Sequence, residues 1–324
     1  MVNMIINPAS KSGHGLEMWK ELETCLIREN TDYKAFLSEG PGDVTRIVHE
    51  LCENELSRNS SSVLRIIVLG GDGTFNETLQ GITDFDRVEI GYIPTGSSND
   101  LARDLGIKGE DSSLLSGILA CREPFLMDLG CLTYHDSAEE HSRLHEETVS
   151  DTRYFAVSCG IGYDAAICEE ALSSHFKNVL NRLGLGKLTY LTIALKQLIL
   201  TKRGNCTITL DNKEPFELKS FLFIATMIHR FEGGGFMFCP DADAQDGRFN
   251  LCAVGPIAKL RILFALPSAM KGQHYRYPHI YPYDGSTVHI EADRPFWVHT
   301  DGEVSRKSSS ITIKCLQKKI HLLK

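Results

Sequence analysis

The apolar run Ile66-Ile67-Val68-Leu69 breaks directly into Gly70-Gly71-Asp72-Gly73-Thr74-Phe75-Asn76-Glu77, and this junction restricts the fold more than any other stretch. A short β-branched run ending in clustered glycines predicts a buried strand that enters a tight turn. Glycine permits positive φ and has no Cβ, so backbone N–H groups can close on an anion. A carboxylate among them, Asp72, would repel a lone phosphate. It is compatible with phosphate when a hard cation stands between the two, and Mg²⁺ has that chemistry. The local pattern predicts a nucleotide triphosphate with Mg²⁺.

The chain has 324 residues, enough for two domains with separate cores. Its formal charge of −8 argues against wholesale adsorption to nucleic acid or anionic lipid, so any membrane contact must come from a local patch. Ten cysteines occur without a CxxC pair, which argues for reduced thiols rather than a zinc ribbon or a disulfide framework. The start lacks the charged and apolar regions of a signal peptide. No apolar run reaches the roughly 18 residues of a spanning helix. These readings predict cytoplasmic residence.

Along residues 1–127, strand-like and helix-like segments alternate. Strands are expected at Met4–Ile6, Tyr33–Leu37, Val63–Leu69 and Ile90–Ile93. Helical spacing runs through Leu16, Trp19, Leu22 and Leu26, and through Val44, Ile47, Val48 and Leu51. Such alternation predicts a doubly wound parallel sheet with helices on both faces. From Asp128 to Lys324 short strands dominate, expected at Tyr154–Cys159, Cys206–Leu210, Leu218–Ile228, Phe249–Val254, Thr287–Glu291, Phe296–His299 and Ile311–Leu316, with helices expected only over Ala165–Leu200 and Ala258–Lys271. That half predicts a mostly antiparallel β-sandwich. The resulting class is α/β, with domains at 1–127 and 128–324, although the last strand could return to the first domain. The segment from His135 to Asp151 is polar and reads as a surface excursion.

Further fragments fit the glycine turn. Asn7-Pro8-Ala9-Ser10-Lys11-Ser12-Gly13 lies between the first strand and the first helix, where N–H groups favour anions, although a plain strand-to-helix turn explains it equally. Pro94-Thr95-Gly96-Ser97-Ser98-Asn99-Asp100 repeats that logic, although a plain helix cap explains it equally. Thr300-Asp301-Gly302-Glu303 follows a strand, and Asp-Gly is also a strong hairpin signal. Asp128 sits inside an apolar strand and needs a partner, which a cation shared with Asp72 and Asp100 would supply.

Taken together, GGDGTFNE, PTGSSNDLARDLGI and TDGE resemble the diacylglycerol kinase catalytic family, of the bacterial soluble lipid kinase type, over nearly the whole chain. The resemblance implies a nucleotide-binding α/β domain, a β-sandwich domain and an active site in the cleft between them. It implies ATP contacts at Asn7, Pro8, Ser10, Gly13, Ser38, Gly70, Gly71, Asp72, Gly73, Thr74, Asn76, Glu77, Thr95, Gly96, Ser97 and Asn99. It implies Mg²⁺ at Asp72, Asp100 and Asp128, largely through water, with Asp301 as the base for a lipid hydroxyl and Glu303 beside it. A second, structural metal would take the Asp243 and Asp246 side chains and the Arg248 carbonyl; an acidic turn is the alternative, and EF-hand spacing fails there.

The implied activity is phosphorylation of diacylglycerol to phosphatidic acid. The alternatives are another lipid, a soluble alcohol as in NAD kinases, or a non-catalytic lipid sensor. The partner is then a membrane lipid met transiently at the inner face of the membrane, with no nucleic acid; a homodimer is left open. Ile228-His229-Arg230 departs from relatives, which often carry asparagine there, and this leaves the lipid's identity open. Gly160-Ile-Gly162-Tyr-Asp-Ala165 matches a dinucleotide fingerprint, but no ribose acid follows, so a strand-to-helix turn is expected. His141 and His145 read as a solvated loop. Lys177, Arg182 and Lys187, flanking apolar residues from Phe176 to Leu185, would suit an anionic membrane or an ordinary amphipathic helix equally.

Overall fold

A computed structural model describes residues 1–57, 62–136, 151–173 and 186–324, with only the backbone considered at Ser12 and at 186–191. His141, His145, Lys177, Arg182 and the apolar residues between Phe176 and Leu185 lie outside the described residues. So does most of the polar excursion, 137–150. The chain divides into two compact units, Met1–Leu129 with Gln317–Lys324, and Gly130–Leu316.

The first unit is a parallel sheet. Strands β1 (Val2–Ile6), β2 (Tyr33–Leu37), β3 (Leu64–Gly70) and β4 (Val88–Pro94) lie in the order β2-β1-β3-β4, all pairs parallel. Helix α1 (Ser10–Gly13) is a single turn, and α2 (Gly15–Arg28) packs Met18, Trp19, Leu22 and Leu26 against Met4, Ile6, Ile67 and Leu69. Leu16, expected on the buried stripe, is 38% exposed, and Met18 fills that place because the helix begins at Gly15. A Cβ on Gly15 would stand 2.3 Å from the Asn7 carbonyl oxygen, so glycine sets how closely this helix approaches the end of β1. Helix α3 (Asp43–Leu56) buries Val44, Ile47, Val48 and Leu51, as its spacing predicts, and packs on α4 (Asp72–Gly81). Short α5 (Asp100–Asp104) and α6 (Asp111–Ala120) follow, with a 3-10 turn at Phe85–Arg87 leading into β4.

The second unit is antiparallel. Its strands are the later part of β5 (Phe125–Tyr134), then β6 (Thr152–Phe155), β7 (Ser158–Gly162), β8 (Gly204–Leu210), β9 (Phe216–Phe221), β10 (Phe223–Met227), β11 (Phe249–Val254), β12 (Ile280–Gly285), β13 (Thr287–Thr300) and most of β14 (Glu303–Leu323). The order β12-β11-β10-β7-β13-β14 forms the main path. Strand β13 is shared: Val288–Ala292 pairs with β8, and Val298–Thr300 pairs with β7. A register shift between Glu291 and Phe296 turns it from one partner to the other. A bulge of this kind bends a strand and lets it serve two sheets. Among the described residues of this unit the α-helices are α7 (Tyr163–Ser173), α8 (Gly186–Leu200) and α9 (Lys259–Ala269).

Chain tracing differs from the sequence reading at several strands; Tyr154–Cys159, expected as one, is divided between β6 and β7. Thr287–Glu291 and Phe296–His299 are one strand rather than two. Leu218–Ile228 is two strands, broken at Leu222, after Ser220 with φ 52°. The last stretch of β14 leaves the second unit, the alternative left open by the sequence: His321–Leu323 pairs in parallel with Glu89–Gly91 of β4, so residues 317–324 group with the first unit.

Candidate active site

In the first unit the chain leaves β1 for β2 on one side and later reaches β3 on the other. The crevice beyond the carboxyl ends of β1 and β3 is therefore a topological switch point, where ligands of open α/β sheets bind. Asn7 and the glycine turn occupy those ends. Asn7 N–H donates to the Leu69 carbonyl at 3.0 Å, its Nδ2 donates to Thr74 Oγ1 at 3.0 Å, and its Oδ1 accepts the Ala9 N–H. Ser38, at the end of β2, is held by its N–H on the Ile6 carbonyl.

The turns after β3 and β4 meet backbone to backbone. Thr95 N–H donates to the Gly70 carbonyl at 2.8 Å. A methyl built on Gly71 would stand 3.0 Å from the Gly96 Cα, and one on Gly96 would stand 2.8 Å from the Gly71 Cα. Two glycines are needed because each occupies the space of the other's side chain. A Cβ on Gly70 would strike Thr74 at 2.4 Å. Asn99, at φ 49°, donates to the Gly96 carbonyl and shapes the second turn. Asp72 Oδ2 accepts the Asp100 N–H at 3.1 Å, and Tyr92 Oη donates to Asp72 Oδ1 at 3.3 Å. Asp100 carries Arg103 Nε at 3.6 Å.

The hydroxyls of Ser10 and Thr95 are shut from solvent and have no hydrogen-bond partner in the protein. Phosphate oxygens would satisfy both, so the cradle fits a phosphorylated ligand. The oxygen donors of Asp72 and Asp100 suit a hard cation. Among the described residues no group of three or more His, Cys, Asp or Glu side chains is arranged to hold a metal ion.

Several residues named from the sequence also have work inside the protein. Asn76 is fully buried, and its side-chain oxygen accepts from Gln80 Nε2 at 3.3 Å. The Glu77 carbonyl takes the Thr45 hydroxyl. Asp128 is fully buried and accepts the Lys318 N–H at 2.8 Å, so the acid that the sequence assigns to a cation also has a backbone partner in the last strand. In the acidic loop, Asp243 accepts the Gln245 N–H and Asp246 accepts the Arg248 N–H, while Arg248 reaches Asp284 at 3.1 Å. Pro8, Gly13, Gly73 and Ser97 lie on the same turns and helix starts as the residues above.

In the second unit, Asp301-Gly302 forms the two-residue connection of the β13–β14 hairpin, with Thr300 opposite Glu303. Both turn residues have positive φ, 52° and 86°, as a type I′ turn requires. The Asp301 carboxylate does more than turn the chain. It accepts three backbone N–H groups, from Ala156 at 2.9 Å, Val157 at 2.8 Å and Ser158 at 3.0 Å. These three amides come from consecutive residues at the β6–β7 junction, so the carboxylate ties the hairpin turn to that junction.

Behind this turn lies a buried cluster that motif reading missed. His299 is fully enclosed, with Nε2 3.1 Å from Glu232 and 3.5 Å from Asp164. Its Nδ1 accepts the Gly302 N–H at 3.2 Å, which places the ring proton on Nε2, between the carboxylates. Burial opposes charge on His299, but Glu232, Cys168 and Asp164 outweigh it and hold the group well above its ordinary value. Burial pushes the Asp164 carboxyl up against the pull of His299. Two demands therefore compete at one ring: the acids favour imidazolium, while Gly302 needs a lone pair on Nδ1. Gly160 makes room for the cluster, since a Cβ there would stand 2.0 Å from Asp164 and 2.3 Å from His299. The GxG pattern is thus a strand-to-helix turn, as expected. The strands flanking β7 are both antiparallel to it, so no βαβ unit exists there.

The chain is thus an α/β unit with phosphate-fitting turns at its strand ends, followed in sequence by an antiparallel β unit. Known proteins agree. The model of the diacylglycerol kinase catalytic domain matches residues 1–130, and that of the YegS C-terminal NAD kinase beta sandwich-like domain matches 157–324. The chain belongs to the diacylglycerol kinase-like family of lipid kinases. It is 27% identical over 306 residues to YtlR of Bacillus subtilis, which carries a provisional lipid-kinase name, covering 93% of this chain and 92% of that one. It is 26% identical over 313 residues to a Staphylococcus aureus diacylglycerol kinase, covering 94% and 86%. A crystal structure from Bacillus anthracis str. Sterne, described provisionally as a diacylglycerol kinase, superposes with a TM-score of 0.72 at 21% identity, covering 99% of this chain and 94% of that one. The fold class and the family expected from the motifs are both borne out.

Proposed function

We propose that this protein transfers the γ-phosphoryl group of ATP, with Mg²⁺, to the hydroxyl of diacylglycerol, giving phosphatidic acid. The observation that carries the reading is the pair of glycine turns packed backbone on backbone beside the partnerless Ser10 and Thr95 hydroxyls. The reading assigns the triphosphate to the first unit and the acceptor's proton to the second.

Phosphoryl transfer has a loose transition state, so positioning and charge neutralisation supply most of the rate. Asn7, Ser10, Thr74 and Thr95 would orient the phosphates, with backbone N–H groups of Gly70 to Thr74 and Gly96 facing them. Asp72, Asp100 and Asp128 would hold Mg²⁺, largely through water; the ion supplies neutralisation of phosphate charge. Asp301, held by the three amides of residues 156–158, would accept the hydroxyl proton. An anion fixed by three amides is a weak base, which suffices when proton transfer is late. Glu303 stands beside it on the hairpin.

The test is a radiolabelled-ATP assay against lipid and soluble alcohols, with Mg²⁺ withheld as a control. Label in the lipid extract with diacylglycerol supports the reading. Label on another lipid keeps the class and changes the substrate. Label only in the aqueous phase selects a soluble-alcohol kinase, and no label at all selects a lipid sensor.

A further inference from the structure

Helix α9 is apolar on both faces. Ile262, Ala265 and Ala269 are buried, while Leu260 is 68% exposed and Phe264 64% exposed. Leu263 and, just past the helix, Met270 are exposed as well. A helix that is hydrophobic all round is normally enclosed, so the outer face calls for a non-aqueous neighbour. The end of α8 adds to the same surface with Ile199, 75% exposed, and Leu200. Lys259 Nζ donates to the Ile199 carbonyl at 2.8 Å and to that of Thr201 at 3.5 Å. The Arg203 guanidinium donates to the Ile257 carbonyl. These bonds bring the end of α8 to the start of α9, so the two apolar sets form one patch.

The charge around the patch has a single sign. Residues 195–203 and 256–276 carry Lys196, Lys202, Arg203, Lys259, Arg261, Lys271 and Arg276, with no Asp or Glu, in a chain whose net charge is −8. Glu170 of α7 faces this region, and it is taken up by Lys196 at 2.6 Å and by Gln197. A second copy of the chain seated here would oppose one basic rim with another. Anionic lipid complements both properties, because apolar side chains enter the headgroup boundary while lysine and arginine meet the phosphates.

We infer that the α8–α9 surface, led by Ile199, Leu200, Leu260 and Phe264, docks this protein on an anionic bilayer. The inference rests on the lipid-kinase reading for its purpose, since the substrate then lies in the membrane, but not for its geometry. The test is flotation of the full chain with vesicles of phosphatidylglycerol and phosphatidylcholine, compared with phosphatidylcholine alone. Wild type should float with anionic vesicles and release as salt is raised. The variant L260E/F264E should lose at least tenfold in vesicle binding. Its thermal midpoint and its turnover of diacylglycerol in detergent micelles should stay at wild-type values. R261E/K271E should lose binding to the anionic vesicles selectively. Undiminished flotation of L260E/F264E overturns the inference. So does a change in oligomeric state without vesicle binding, which would make the patch a contact between copies. Flotation that depends on the patch in a protein that phosphorylates no lipid would retain the docking surface and remove the kinase reading. Turnover in micelles without flotation would do the reverse.

Discussion

Asp301 is asked to do two things, and Asp301→Asn separates them. In the protein its carboxylate accepts three backbone N–H groups, from Ala156, Val157 and Ser158. A hydrogen bond to a charged group contributes about 1.5–3 kcal/mol net, and half-exposure of the turn argues for the lower end, so the three sum to about 4.5 kcal/mol. Asparagine can keep its oxygen on Val157 and Ser158 as two neutral bonds of about 1 kcal/mol each, while its NH₂ opposes the Ala156 N–H donor to donor. The loss is then about 2.5 kcal/mol, or roughly 60-fold at about 1.4 kcal/mol per factor of ten. The local observable is hydrogen exchange of the 156–158 amides, followed by mass spectrometry on the full chain. Exchange there should speed up by roughly 60-fold, while amides of the first unit keep their wild-type rates. Lipid phosphorylation should vanish with binding of an ATP analogue retained. An exchange increase below about threefold would refute the brace described above. Near-normal phosphorylation in the same variant would refute the assignment of Asp301 as base.

Other expectations are equally concrete. Gly96→Ala inserts a Cβ 2.8 Å from the Gly71 Cα, and overpacking of this kind costs about 1–3 kcal/mol, so the urea midpoint should fall and affinity for an ATP analogue in calorimetry should drop with it; unchanged affinity would exclude the turn from the phosphate site. His299 has a raised folded value, so its contribution to stability is complete below the unfolded value of about 6.5 and is lost as pH climbs through the folded one. Urea midpoints of wild type should therefore decline above about pH 6.5, and those of His299→Gln should decline less; parallel slopes would show that the cluster does not titrate as described. Asp211 behaves oppositely: burial raises it, but bonds from Ser286 and Thr287 win and hold it below its ordinary range. Its contribution should be present above about pH 3.9 and disappear as pH falls, and an Asp211→Asn protein whose acid-side midpoints match wild type would contradict this.

The first unit was largely legible in the sequence because its determinants are local. Strand, glycine turn and helix follow one another within a few residues, and the stripe Val44, Ile47, Val48 and Leu51 announces its buried face directly. The hairpin at Asp301-Gly302 was legible for the same reason. The Asp164–Glu232–His299 cluster was not, since its members come from three distant segments and only Gly160 hints that a side chain has been left out. The shared strand β13 was read as two because its bulge interrupts the apolar alternation, and that alternation is the only signal of a strand that changes partners. Asp128 was read as needing a cation because its amide partner, Lys318, is supplied 190 residues later.

The return of β14 to β4 sets an order of assembly. The strand that pairs with β4 in the first unit follows the whole antiparallel unit in the chain, so the first unit's sheet is completed only after that unit has been made. A nascent chain that stops short of residue 317 would present β4 with an unpaired rim and leave the buried Asp128 without its Lys318 amide. The first unit should therefore not close its sheet until residues 317–324 are available, and an open sheet edge of this kind invites association between chains.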